Sequence, residues 1–257
     1  MSINLSSTGI IPARYASTRF PGKPLTDIAG KSMIQRVYEQ VSRSDLDKVM
    51  VATDDERIFE AVKAFGGEVM MTGRHHNGTS RCREAFLQMQ DSCDIMVNIQ
   101  GEEPFIQPSQ INAVLKAFEA EDTEIATLCK RITELGDLMN PDIVKVVLSD
   151  AIREDIYNAL YFSRSAIPFV RDYPQNEWMD NEIFYKHIGL YAFRRSFLTD
   201  SYPALKAGKL EKSESLEQLR WLENGFDIRI LQTEEESINI DRPEDVQRAL
   251  KWLKTQI

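Results

Sequence analysis

Short apolar runs of strand length alternate along this chain with stretches whose apolar residues recur at every third and fourth position. Gly9–Ile11, Val49–Thr53, Glu68–Thr72, Asp94–Gln100, Ile125–Lys130, Ile143–Ser149, His187–Phe193 and Asp227–Leu231 read as strands. Met33, Ile34, Val37, Tyr38 and Val41 share one helical face, as do Ile58, Val62 and Phe65, and later Val246, Leu250 and Leu253. An amphipathic helix must lay its apolar stripe on another element, and strands at this spacing provide one. The pattern therefore predicts an α/β fold of βαβ crossovers, with a mostly parallel central sheet and helices on both faces. Ligands of such sheets bind at the C-terminal ends of the strands.

From about Tyr157 to Tyr202 the rhythm breaks into strand-like segments with Pro168, Pro174 and an excess of aromatic residues. A small antiparallel lobe or dimer contact, inserted around 157–202, is expected there. With 257 residues and 42% hydrophobic content, the chain is expected to form a single domain, 1–257, carrying that lobe.

Forty acidic against 31 basic residues leave a formal charge of -9, which argues against a nucleic-acid or anionic-membrane partner. An anionic substrate must then meet a local cluster of cations. Met1–Thr8 has neither a basic nor an apolar leader pattern, and no apolar run approaches the roughly 20 residues that span a bilayer, so a cytoplasmic protein is expected. Cys82, Cys93 and Cys129 are odd in number and widely spaced, which suggests reduced thiols rather than disulfides or a zinc site.

The local cation cluster follows the first strand. Ile11-Pro-Ala-Arg-Tyr-Ala-Ser-Thr-Arg-Phe-Pro-Gly-Lys-Pro-Leu25 holds Arg14, Arg19 and Lys23 with no acid before Asp27. Three cations, backbone N–H groups and a glycine that permits close approach suit a triphosphate, whose charges must be neutralised in one geometry. A solvated basic loop is the bland alternative. Gly73-Arg-His-His-Asn-Gly78-Thr79-Ser80 has the frame of a P-loop, but Thr79 stands where the phosphate-reaching lysine belongs, which argues against a kinase or ATPase. His75 and His76 are adjacent and cannot share a helix face, so a metal pair there is not expected.

The first loop, together with Val51-Ala-Thr-Asp-Asp55, Gln100-Gly-Glu-Glu-Pro104 and Tyr161-Phe-Ser-Arg-Ser165, resembles the 3-deoxy-manno-octulosonate (Kdo) cytidylyltransferase family. Lys186-His-Ile-Gly-Leu-Tyr191, Glu214-Ser-Leu-Glu-Gln-Leu-Arg220 and Ile240-Asp-Arg-Pro-Glu-Asp245 extend the match in the family's order. The resemblance implies a Rossmann-like nucleotidyltransferase fold, a homodimer and dependence on Mg2+. It also implies a reaction in which the anomeric hydroxyl of a 3-deoxy-ulosonic acid attacks the α-phosphorus of CTP and releases pyrophosphate, supplying an activated sugar for lipopolysaccharide synthesis.

The resemblance assigns catalysis to Arg14, Arg19, Lys23, Glu102 and Asp241, the last two as metal ligands. It assigns the nucleotide to Pro12, Ala13, Arg14, Lys23, Thr53, Asp54, Gly78, Thr79 and Gln100. The sugar acid falls to Arg81 and Arg164 near its carboxylate, with His187, Tyr191, Glu217 and Gln218 reading its hydroxyls. Plainer readings stand beside three of these assignments. Asp241, just before a Pro-started helix, looks like an N-terminal cap, and His187 with Tyr191 on one strand face fits a core pair. Lys145 and Arg220 read equally well as surface charges.

Two positions depart from the family's usual residues. Ser80 stands for an aspartate, and Glu102 for another, extending that carboxylate by one methylene, on the order of 1.5 Å. Two further readings follow: the same chemistry on a variant acid, such as 8-amino-3,8-dideoxy-manno-octulosonate or a nonulosonate, or a nucleotide-binding protein that has lost catalysis.

Overall fold

A computed structural model describes residues 5–16, 20–89, 93–236 and 239–255. The chain runs β1 (Ser7–Ala13), β2 (Asp27–Ile28), β3 (Lys31–Ser32), α1 (Met33–Val41), β4 (Lys48–Thr53), α2 (Glu56–Ala64), β5 (Val69–Met71), α3 (Gly78–Gln88), β6 (Ile95–Asn98) and α4 (Pro108–Lys116). It continues through β7 (Ile125–Arg131), α5 (Leu135–Met139), β8 (Lys145–Leu148), β9 (Ile156–Ser163), α6 (Trp178–Asn181) and β10 (Tyr185–Arg194). The last elements are α7 (Lys209–Glu214), α8 (Gln218–Glu223), β11 (Ile228–Gln232) and α9 (Asp245–Thr255). Two compact units divide these elements, one built from 4–112 and 236–257 and the other centred on 113–235.

In the first unit the strands run β5-β4-β1-β6, and every pairing is parallel. Parallel neighbours require crossovers, which α1 and α3 provide. Each helix starts on a polar cap: the Ser32 side chain accepts from Gln35 N, and that of Asn77 from Ser80 N. The apolar stripe predicted on α1 is buried at Met33, Ile34, Val37 and Val41. Ala13 pairs with Thr53 and Ile10 with Asn98, so β1, β4 and β6 end along one edge and their following loops emerge together. α9 closes the unit, placing Val246, Leu250 and Leu253 on a core of Ile28, Met33, Phe105 and Ile240.

In the second unit β7 pairs antiparallel with β10 and parallel with β11, while β9 pairs antiparallel with both β11 and β8. Antiparallel pairing thus reaches beyond the 157–202 stretch to β7, β8 and β11. β10 carries a bulge: Ile188 faces Leu128 and Tyr191 faces Thr127, leaving Gly189 and Leu190 unmatched.

Candidate active site

Six of the nine residues expected at the nucleotide, Pro12, Ala13, Arg14, Lys23, Gly78 and Gln100, line one cleft at the C-terminal edge of the parallel strands, and Thr53, Asp54 and Thr79 do not line it. The cleft is lined by Pro12, Ala13 and Arg14 from the end of β1, Lys23 and Pro24 from the loop, His75 to Gly78 and Arg81 around the start of α3, and Gln100 to Glu102 after β6. Gly101 lets these segments meet, since a Cβ at that position would fall 2.9 Å from the Pro12 carbonyl oxygen. The N-terminus of α3 contributes Asn77 and Gly78 to the lining, and its dipole favours an anion. Thr53 and Thr79 are buried, with Thr79 Oγ1 accepting from Asn98 Nδ2 at 3.4 Å. Arg14 is exposed at the cleft, and Arg19 lies outside the described residues.

The loop folds back on itself to present Lys23. Gly22 N donates to Tyr15 O at 3.0 Å, and Gly22 has φ +71 with the Tyr15 ring so close that a Cβ would sit 3.1 Å from it. Only glycine meets both conditions without strain. A short helical turn, Lys23–Leu25, follows with Pro24 buried. Lys23 Nζ then lies 3.3 Å from Asp241 Oδ1 and 3.8 Å from Glu102 Oε2.

Backbone bonding draws these two carboxylates together. Ile240 N donates to Glu102 O at 3.0 Å, tying the segment before α9 to the loop after β6. The capping alternative for Asp241 meets a different geometry: α9 begins at Asp245, whose carboxylate accepts from the backbone N of Asp241 and of Arg242, both at 2.9 Å. The Asp241 carboxylate is engaged by Lys23.

Among the described residues no group of three or more His, Cys, Asp or Glu side chains gathers in metal-binding geometry. Mg2+ does not need one, because it is commonly held by one or two carboxylates together with substrate phosphates and water. Two carboxylates already directed at one cationic centre fit that mode.

Arg81 is held within the wall of this cleft. Its Nη1 donates to Thr72 Oγ1 at 2.8 Å and its Nη2 pairs with Asp54 Oδ1 at 3.1 Å, with only 4% of the side chain exposed. Asp54, expected at the nucleotide, thereby fixes an arginine expected at the sugar.

Two further acids, neither placed among the site residues from sequence, stand at this edge. Glu103 is buried, and burial, followed by the neighbouring Glu102 charge, pushes its carboxyl up to about 8. The Glu102–Glu103 doublet at a strand end was the available signal. Glu84 accepts from Gly73 N at 3.0 Å and from the His75 ring, which steadies a residue of the cleft lining. The Gly73 N–H, ahead of His75, holds the Glu84 carboxyl below the usual range.

The remaining sugar candidates lie in the second unit. Arg164 Nε donates to Glu214 O at 2.8 Å and its Nη1 to Pro141 O at 3.0 Å, so backbone carbonyls orient the guanidinium. His187 Nε2 lies 3.0 Å from Thr127 Oγ1, and its ring centroid is 5.2 Å from that of Tyr191. Glu217 accepts from Tyr202 Oη at 2.9 Å, and Gln218 is buried at the start of α8.

Lys145 and Arg220 are not surface charges. Lys145 is fully buried, its ammonium donating to the carbonyls of Asn140, Ile143 and Arg164, and burial lowers its pKa. Arg220, with 14% of its side chain exposed, forms a two-pronged pair with Glu211. Backbone carbonyls and a carboxylate from elsewhere in the chain made burial affordable, and local sequence shows neither.

Residues 8–234 match the family model described as cytidylyltransferase. The chain is 54% identical over 250 residues to the 3-deoxy-manno-octulosonate cytidylyltransferase of Parabacteroides distasonis, covering 95% of this chain and 97% of that protein. To the protein of the same name from Bacteroides thetaiotaomicron it is 53% identical over 252 residues, covering 96% and 98%. Among solved structures it is similar to a CMP:2-keto-3-deoxy-manno-octonic acid synthetase complexed with CTP, at 37% identity and a TM-score of 0.89, covering 98% of this chain and 100% of that one. A UDP-glucose pyrophosphorylase complexed with UDP-glucose, 14% identical with a TM-score of 0.68, shares the fold. With a cation-lined cleft at the edge of its parallel strands and relatives alike over nearly their whole length, this chain belongs to the 3-deoxy-manno-octulosonate cytidylyltransferase family.

Proposed function

We propose that this enzyme transfers CMP from CTP to the anomeric hydroxyl of 3-deoxy-manno-octulosonate, with release of pyrophosphate, to supply activated sugar for lipopolysaccharide synthesis. The convergence of Lys23 with Glu102 and Asp241 beside the N-terminus of α3 carries this reading. The sugar oxygen forms a bond to the α-phosphorus as the bond to the β-phosphate oxygen breaks, and the hydroxyl proton is released. Such a displacement needs positioning and charge neutralisation rather than a covalent intermediate.

Arg14, Lys23 and the N-terminus of α3 neutralise and orient the triphosphate. Glu102 and Asp241 would hold Mg2+, which when bound supplies further neutralisation of phosphate oxygens. Arg81, braced by Asp54 and Thr72, keeps the cleft wall in place beneath the nucleotide. Arg164, His187, Tyr191, Glu217 and Gln218 serve the sugar acid.

The enzyme acts as a homodimer in the cytoplasm, where nucleoside triphosphates are available. The exposed Leu160, Phe169 and Tyr173 support a second copy as partner. No helix among the described residues is long and apolar enough to cross a membrane. The shared name of the relatives gives no support to a variant acid or to lost catalysis.

Pyrophosphate release across CTP and UTP, each with Kdo, 8-amino-Kdo and a nonulosonate, with and without Mg2+, tests the proposal. Turnover confined to CTP, Kdo and metal is expected. Preference for another acid or nucleotide would overturn the assignment of substrate.

A further inference from the structure

Thr127, on β7, is fully buried, and its hydroxyl has three neighbours. Leu190 O is 2.7 Å away, Ile188 O 3.1 Å and His187 Nε2 3.0 Å. Both carbonyls belong to the bulge of β10 and can only accept hydrogen bonds. The hydroxyl has one proton. Were it given to His187, both carbonyl oxygens would face hydroxyl lone pairs at short range. Given instead to the bulge, it leaves a lone pair for His187, whose Nε2 must then carry its own hydrogen.

We propose that Thr127 is a positioning residue for the sugar subsite, holding His187 in the Nε2–H tautomer so that Nδ1 is left to accept a hydrogen bond from a sugar hydroxyl. The role of His187 toward sugar rests on the function proposed above, whereas the hold of Thr127 on His187 rests on the hydrogen bonds alone.

The surroundings agree. The Phe162 ring stands edge-on to the imidazole with centroids 5.2 Å apart, Tyr191 lies at the same distance, and burial pushes the His187 pKa down to about 3. A neutral ring has one proton to place, and Thr127 decides where it goes. The consequence for recognition is specific. An Nδ1 lone pair attracts a hydroxyl and repels a carboxylate, so His187 reads the polyol part of the sugar acid and leaves the acid group to cations. The same hydroxyl closes the bulge, which sets Tyr191 opposite Thr127.

The wild-type protein labelled with nitrogen-15 histidine provides the first test, because imidazole nitrogen shifts distinguish a protonated from an unprotonated ring nitrogen. The chain has three histidines, so His187→Gln assigns the signal. A protonated Nε2 and bare Nδ1 at neutral pH are expected. A proton on Nδ1, a doubly protonated ring or an averaged mixture would overturn the proposal.

Kinetics supply the second test. Thr127→Val should release the tautomer and raise the KM for Kdo about tenfold, with the KM for CTP changed less than about twofold, as for loss of one oriented hydrogen bond. Thr127→Ser, which keeps the hydroxyl, should restore both the spectrum and the KM. Wild-type spectrum and KM in Thr127→Val would also overturn the proposal. Should that variant not fold, the wild-type spectrum and the serine variant still decide. A wild-type enzyme inactive on every 3-deoxy acid would overturn the sugar role, while the nitrogen spectrum would still judge the hold on His187.

Discussion

The ammonium of Lys23 lies 3.3 Å from the carboxylate of Asp241, a residue 218 positions later in the chain. With Glu102 at 3.8 Å, the loop lysine balances two acids that would otherwise repel each other in a half-buried setting. Lys23→Met is expected to cut turnover about a hundredfold through lost neutralisation of the triphosphate. Steady-state kinetics with saturating CTP and Mg2+ check this, and near-wild-type turnover would exclude Lys23 from the phosphate site.

Glu102→Gln and Asp241→Asn should each lose at least about a hundredfold in turnover, while CTP binding without metal stays nearly unchanged. Titration calorimetry with and without Mg2+ separates these effects. A capping role for Asp241 would instead cost about 1 kcal/mol of stability with little change in rate. Glu102→Asp reports on the longer side chain: activity falls if the cleft is packed around glutamate and rises if it still suits aspartate.

Arg81 is buried between Asp54 and Thr72, so truncating it strands a carboxylate and a hydroxyl beside a cavity. Arg81→Ala should destabilise the protein by about 3 kcal/mol, as for breaking a largely buried ion pair. Asp54→Asn keeps a side-chain oxygen toward Arg81 but removes the charge that balances a guanidinium with only 4% of its side chain exposed, so it too should destabilise the protein. Urea denaturation midpoints order the two variants, and equal stability of Arg81→Ala and wild type would contradict the bracing role.

Glu103 makes stability depend on pH in the metal-free protein. Its carboxyl titrates near 8 when folded against an ordinary value of 4.5, so the folded state binds more protons between those limits. Its contribution is fully present below the unfolded value and is lost as pH rises through the folded one. Glu103→Gln should therefore raise the melting temperature above wild type on the alkaline side of this window and change it little on the acidic side. Parallel melting curves of the two proteins would refute this if the gap did not widen with pH.

The sequence by itself determined what depends on neighbours along the chain. Alternation of apolar runs with the helical stripes Met33–Val41 and Val246–Leu253 marked the strands and helices, because side-chain periodicity is set by local backbone geometry. The cation-rich loop was legible for the same reason, since Arg14 and Lys23 follow one strand with no acid between them. The fold class was legible from the alternation, and the family from motifs in register. Tertiary structure alone decided which charges meet. The backbone bond from Ile240 to Glu102 brings Asp241 to Lys23, and strand pairing sets Thr127 against the bulge that carries His187. Lys145 read as a surface charge because the three carbonyls that hold it underground are backbone atoms, present at every residue and so invisible in a pattern of side chains. Glu103 and Arg81 followed the same physics: whether a charge is kept, paired or neutralised depends on the dielectric and the partners that packing supplies, and these exist only once the chain has closed around them.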